Sequence, residues 1–186
     1  MKYLIVGLGN IGPEYAFTRH NVGFMILDRL AAQEGFSFKM DRLAYYAEFK
    51  HKGKQIYFIK PTTFMNLSGK AVNYWLQALK IPVENMLILT DDIALPFGKL
   101  RLKPKGSHGG HNGLRNIEET LGNQNYARLR FGVGDAFNKG RQIDYVLGKF
   151  SEDEMAQLLE RLDRSGDICK SFCLQGLEKT MNFFNE

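Results

Sequence analysis

Two neighbouring stretches set the fold class: Tyr3-Leu4-Ile5-Val6-Gly7-Leu8-Gly9-Asn10-Ile11-Gly12, and then Thr18-Arg19-His20-Asn21-Val22-Gly23-Phe24. A short apolar run that breaks into a glycine-rich turn is the pattern of a buried strand entering a loop. From Val22 to Gln33 apolar residues recur at helical spacing, so strand, loop and helix follow one another. Such units build α/β sheets, which keep their chemistry on the loops leaving the strands. Asn10, His20 and Asn21 lie on that loop.

The alternation continues down the chain. Tyr45 to Phe49, Gln55 to Ile59, Met86 to Thr90, Lys99 to Leu102 and Leu129 to Val133 are β-branched or aromatic-rich runs bounded by turn residues, and are predicted strands. Gly69 to Leu79 is predicted helical from Val72, Trp75, Leu76 and Leu79, with Ser68 as its N-cap. His51-Lys52-Gly53-Lys54 between two strand-like runs predicts a hairpin, so part of the sheet is antiparallel. Ser151-Glu152-Asp153-Glu154 matches a capping box, and Met155, Leu158, Leu159 and Leu162 continue as a C-terminal helix. The expectation is an α/β fold: a single domain over residues 1–186, with a twisted mixed β-sheet flanked by α-helices.

At 186 residues the chain can bury roughly two thirds of its unfolded surface, and it carries no low-complexity linker. No secretory leader pattern precedes the first strand, and no apolar run approaches the roughly 20 residues of a membrane span. A cytoplasmic, soluble monomer away from membranes is expected. Cys169 and Cys173 are four apart in a helical segment, without the spacing of a zinc site, and are expected to be buried free thiols.

The 25 Lys and Arg against 20 Asp and Glu give a formal charge of +5 and a pI near 9.1, which points to a polyanionic partner. Lys99-Leu100-Arg101-Leu102-Lys103-Pro104-Lys105 alternates with period two. A strand there sends Leu100 and Leu102 inward and Lys99, Arg101 and Lys103 to one outer face. Arg128, Arg130, Lys139 and Arg141 are expected to extend that positive surface.

Asparagine and histidine recur in two further glycine-containing segments, Lys60-Pro61-Thr62-Thr63-Phe64-Met65-Asn66-Leu67-Ser68-Gly69 and Gly106-Ser107-His108-Gly109-Gly110-His111-Asn112-Gly113. His20 is a candidate general base, because imidazole titrates near neutral pH and can take a proton from water attacking a carbonyl. Its orienting carboxylate is sought in Asp91-Asp92, which follow the apolar run Met86 to Thr90 and so emerge at a strand's C-terminal end. No Gly-x-Ser-x-Gly elbow is present, and water is the expected nucleophile. Asparagines supply neutral donors and acceptors at any working pH, as needed to hold water, polarise a carbonyl and read the substrate. His108 and His111 with Asp91 or Asp92 raise a metal site, but the helical His-x-x-x-His spacing of zinc enzymes is missing. Gly7 to Gly12 also fits the dinucleotide fingerprint G-x-G-x-x-G. Pro13 delays the helix that should start inside it, and Asp28 falls within a helical pattern rather than at the end of a second strand.

Taken together, GLGN, TRHNVG, KPTTFMNLSG and GGHNG, in this order, resemble the bacterial-type peptidyl-tRNA hydrolases. The resemblance covers nearly the whole chain and implies hydrolysis of the ester between a peptide and the 3′-terminal ribose of tRNA, with no metal and no cofactor. It selects Asp91 as the partner that orients His20, and gives Asn10 the reading of an acylated α-nitrogen. Asn66 and Asn112 are implied to bind substrate near the acceptor end and to place water or nucleotide. Tyr15, Phe64, Met65 and His111 are expected to line the substrate site. Arg101, Lys103, Lys105 and Arg130 are expected to hold phosphates of the acceptor stem and 3′ end, with Arg101 and Lys103 nearest the 5′-phosphate. A non-catalytic tRNA- or ribosome-binding module is the alternative, and a Rossmann-type nucleotide-dependent enzyme a more distant one. Ile11 departs from the proline of the family's usual GLGNPG, and Asp135-Ala136-Phe137 replaces its usual His- or Arg-Pro turn.

Overall fold

A computed structural model describes all 186 residues, Met1–Glu186. The strands are β1 (Lys2–Gly7), β2 (Lys39–Asp41), β3 (Ala44–His51), β4 (Lys54–Pro61), β5 (Met86–Asp92), β6 (Leu100–Lys103) and β7 (Ala127–Gly132). The helices are α1 (Val22–Glu34), α2 (Ser68–Leu79), α3 (Asn112–Leu121), α4 (Gln142–Val146), α5 (Glu152–Gln175) and α6 (Leu177–Phe184). The strands form one seven-stranded sheet in the order β2-β3-β4-β1-β5-β7-β6. β1, β4, β5 and β7 run parallel at its centre, while β2, β3 and β6 pair antiparallel. The expected single α/β layer system with a mixed sheet is therefore the one observed.

Parallel central strands need cover on both faces, and their sequences are correspondingly apolar on both. One face packs Ile5, Phe58, Leu87, Leu89 and Leu129 under α1 and α5, through Ile26, Leu30, Leu162 and Phe172. The other packs Val6, Ile59 and Ile88 under α2 and α3, through Val72, Trp75, Leu114 and Ile117. Gly7 and Gly23 explain how α1 sits so near the end of β1. A Cβ on Gly7 would meet the Gly23 carbonyl oxygen at 2.4 Å, and one on Gly23 would meet the Leu8 nitrogen at 2.5 Å. Those glycines serve close packing, since the loop after Gly12 makes two one-turn 3-10 helices before α1 begins at Val22. The nucleotide fingerprint, in which the helix opens inside the glycine run, is not formed.

Several expectations hold in detail. The 51–54 turn is a hairpin, Ser151 and Glu154 form a reciprocal capping box, and Cys169 and Cys173 are buried and unpaired. Burial pushes the Cys173 thiol up to about 12. Others are corrected. Ser68 does not cap α2: it is that helix's first residue, and its hydroxyl donates to the Met65 carbonyl. Arg128 is fully buried rather than part of the basic surface. It stacks 4.1 Å over the Tyr126 ring and donates to the Gln124 and Tyr126 carbonyls, because the chain between α3 and β7 folds over that end of the sheet.

Candidate active site

Because β1, β4, β5 and β7 are parallel, their C-terminal ends deliver the loops after Gly7, Pro61, Asp92 and Gly132 to one edge of the sheet. There the 3-10 turn Arg19–Asn21 brings His20 onto Asp91, the penultimate residue of β5. His20 Nδ1 lies 2.8 Å from Asp91 Oδ2, and both side chains are almost wholly buried. His111 meets the other carboxylate oxygen, its Nε2 being 2.8 Å from Asp91 Oδ1 and 2.9 Å from Thr90 Oγ1.

Hydrogen bonding fixes the tautomers. His111 is the N-cap of α3, and its Nδ1 accepts from the backbone N–H groups of Gly113 and Leu114. Its proton is therefore on Nε2, which donates to Asp91. His20 donates Nδ1–H to the same carboxylate, leaving the Nε2 lone pair of His20 without a protein partner. Burial alone would push the Asp91 carboxyl up, yet the two imidazoles hold it well below the usual carboxylate range. Burial likewise disfavours a charged His20, but the Asp91 charge and hydrogen bond outweigh it, and its pKa is raised. The result is a chain His111–Asp91–His20 ending in an oriented base.

His20 lines a cleft of about 780 Å³ together with Asp92, His111, Asn112, Arg130 and residues of the 135–146 segment. Asn10 is tied to Asn21, the residue that follows His20, and the two amides line an adjacent cavity. The Asn10 backbone N–H donates to Asn21 Oδ1, Asn21 Nδ2 donates back to the Asn10 carbonyl, and Asn10 Oδ1 accepts the Met65 N–H at 2.7 Å. A backbone N–H can meet only the amide oxygen, so Asn10 presents Nδ2 as a free donor.

The remaining expected residues separate into groups. Phe64 is half exposed with its ring edge-on to Tyr15 at 6.5 Å, a paired aromatic rim. Asn66 and Asn112 are exposed; the latter opens α3, where its Oδ1 accepts from Arg115. Met65 is 4 % exposed and packs in the core, so it serves the site through its N–H rather than its side chain. Arg101 and Lys103 stand opposite Arg130 and Arg128 on the α3 face of the sheet. Of these, Lys103 and Lys105 are exposed, whereas Arg101 donates to the Glu186 carbonyl. Arg130 is tied to Asp92 Oδ2 and the Ser107 carbonyl, so its role is shared between structure and surface. Lys139 lines the cleft, while Arg141 pairs with Asp144 in solvent. Sequence reasoning missed His111 as the second support of Asp91, along with Thr90 and Asn21. The signal for His111 was a potential N-cap ahead of Leu114 and Ile117, spaced i, i+3.

No helix is long and apolar enough to cross a membrane. A sequence profile described as peptidyl-tRNA hydrolase matches residues 4–186. The peptidyl-tRNA hydrolase of Bacteroides fragilis is 59% identical over 186 residues, covering all of both chains. That of Cytophaga hutchinsonii is 56% identical over 185 residues, covering 100% of this chain and 98% of the relative. The crystal structure of the Acinetobacter baumannii peptidyl-tRNA hydrolase superposes with a TM-score of 0.92 at 36% identity, covering 98% of this chain and 94% of that one. The chain belongs to the peptidyl-tRNA hydrolase family.

Proposed function

We propose that the whole chain, residues 1–186, acts as one catalytic domain that hydrolyses the ester joining a peptide, or an N-blocked amino acid, to the 3′-terminal ribose of tRNA. The observation that carries the mechanism is the free Nε2 of His20, which is set by the Asp91 carboxylate and lines the cleft. His20 takes a proton from water as the water oxygen bonds to the ester carbonyl carbon. The imidazolium, stabilised by Asp91, then returns the proton to the departing ribose 3′-oxygen. The products are a peptide carboxylate and tRNA with a free 3′-hydroxyl.

Asn10 supports discrimination by polarity. Its accessible group is the Nδ2 donor, since Oδ1 is engaged by Met65. A donor pairs with the acyl carbonyl that a blocked α-nitrogen carries, but opposes the ammonium of an unblocked aminoacyl ester, which also has to lose water to enter. Tyr15 and Phe64 form a platform for the terminal adenine, Asn66 and Asn112 contact the substrate near it, and Arg101, Lys103, Lys105 and Arg130 follow the acceptor stem. On this proposal the enzyme is a cytoplasmic monomer that uses no metal. His20, Asp91 and His111 are near enough to share an ion, but both Asp91 oxygens already accept imidazole N–H groups, and His111 Nδ1 is engaged by α3.

The test is release of labelled amino acid from N-acetyl-aminoacyl-tRNA against the unblocked ester. Release from the blocked ester should be faster by at least about 100-fold. Equal rates would remove the amide-reading role of Asn10, and tRNA binding with no release would favour a binding module.

A further inference from the structure

The residue directly before His20 is an arginine that the chemistry above does not use. The Arg19 side chain is only 12% exposed and is not among those lining the cleft. Its Nη1 donates to the Tyr145 carbonyl at 3.1 Å and its Nη2 to Glu154 Oε1 at 3.2 Å, while the guanidinium lies 4.0 Å from the centroid of the Tyr145 ring. The Arg19 backbone N–H donates to the Gly148 carbonyl at 3.0 Å, next to an antiparallel bridge between Thr18 and Lys149. Glu154 is itself fixed, because the same Oε1 accepts the Ser151 N–H in the capping box of α5. A buried charge is thus committed to a joint between the His20 turn and the chain around α4.

The far side of that joint is a wall of the cleft. Gln142, Ile143 and Val146 of α4 line it, with Phe137 and Lys139 ahead of them. From Asp135 to Gly148 three hydrogen bonds leave the segment: Tyr145 Oη donates to the Val133 carbonyl at 2.6 Å, and the Tyr145 and Gly148 carbonyls accept from Arg19. Two of the three therefore end on the neighbour of the general base. The five residues of α4 are too few to hold a helix by themselves, so its place depends on such anchors.

We propose that Arg19 is a positioning residue for the hydrolysis: it joins the α4 wall to the His20 turn, so that wall and base keep one spacing while substrate occupies the cleft. The inference deepens the hydrolase reading above and rests on it. Arginine suits the task because its planar fork donates to Tyr145 and Glu154 at once while its face packs on the Tyr145 ring, which a lysine ammonium cannot do. Gly148 belongs to the same joint, since a Cβ there would come within 3.3 Å of Arg19 Nη1. A contact outside the cleft acts on rate through geometry, and a misplacement of about 1 Å can cost about 100-fold. Basic strand β6 lies beyond the joint, at the sheet's edge, so tRNA binding by Lys103 does not pass through it.

The experiment uses Arg19→Met, which keeps an unbranched stem and removes the fork, and Tyr145→Leu, which removes the ring and the bond to Val133. Saturating single-turnover hydrolysis of N-acetyl-aminoacyl-tRNA gives the rate, and titration with deacylated tRNA gives the affinity. Each variant should lose at least about tenfold in rate with affinity within about threefold of wild type, and the double variant should lose no more than the worse single one, since both break one joint. Arg29→Met, which breaks the Arg29–Asp163 pair between α1 and α5, should keep the wild-type rate. Hydrogen exchange without substrate should show the amides of 19–21 and 142–149 opening faster together in each joint variant, with those of β1 and β5 unchanged. If Arg19→Met does not fold, Tyr145→Leu carries both readouts. A folded variant within about threefold of the wild-type rate overturns the proposal, as do losses that multiply in the double variant, unchanged exchange, or an equal loss in Arg29→Met. A wild type that hydrolyses nothing overturns the hydrolase reading and the positioning role with it, while exchange still shows whether the joint exists.

Discussion

Asp91→Asn asks more of the site than the loss of one charge. Both carboxylate oxygens accept from imidazoles, at 2.8 Å each. An amide offers one acceptor oxygen and one NH2, so one imidazole must face a donor. His111 cannot adapt, because the first N–H groups of α3 hold its Nδ1 as an acceptor and keep its proton on Nε2. The amide oxygen therefore stays with His111 and the NH2 turns toward His20. His20 must then move its proton to Nε2, which is the atom that should act as base. The full contribution of general-base assistance is at stake, about 10² to 10⁴ in rate, or about 2.7 to 5.5 kcal/mol of transition-state stabilisation. His20 also loses the anion that raises its pKa while keeping the burial that lowers it. The acid limb of the pH–rate profile, which lies above about pH 6.5 in the wild type, should fall below that value. Single-turnover hydrolysis of N-acetyl-aminoacyl-tRNA across the neutral range measures both quantities. A folded variant whose plateau stays within about threefold of wild type, or whose midpoint does not move, would refute the assigned tautomers.

Phe64 holds φ 61° and ψ 161°, a region that suits glycine. Phe64→Gly should leave stability unchanged or raise it by up to about 2 kcal/mol in urea unfolding, while slowing hydrolysis through loss of the aromatic rim. Lys103→Ala should weaken tRNA binding at low salt and reduce the slope of log K against log salt by about one, read by fluorescence titration. The paired Asp91 and His20 also predict the pH dependence of unfolding. Asp91 has a lowered pKa, so its stabilisation is present above about pH 4 and lost on acidification, while His20 has a raised one, so its share is full below about pH 6.5 and lost as pH rises through the folded value. Chemical denaturation should give highest stability between those limits, and Asp91→Asn should flatten the profile.

The parts of the fold written in local pattern were legible. The Tyr3–Val6 run, the 51–54 turn, the Ser151 capping box and the alternation through Leu100 and Leu102 each depend on neighbours a few residues away. β2 was not legible, since its three exposed residues Lys39–Asp41 carry no apolar periodicity. α3 was overlooked behind the glycines at 109 and 110, although Leu114, Ile117 and Leu121 keep helical spacing. Arg128 misled because alternation through Arg128 and Arg130 gives a face but not what covers it, and the 122–126 segment does so. His20 and Asp91 are readable as chemistry and the family resemblance pairs them, but their residues alone do not, because the contact spans 71 positions and is made only by the fold. His111 could not be assigned from residue type alone, because its role comes from α3 fixing one nitrogen while the other supports Asp91.

His20→Ala tests the central claim most directly, by single-turnover release from N-acetyl-aminoacyl-tRNA with circular dichroism to confirm the fold. General-base action predicts a loss of at least about 100-fold in the chemical step with tRNA affinity retained. A folded variant that turns over at near wild-type rate would contradict it.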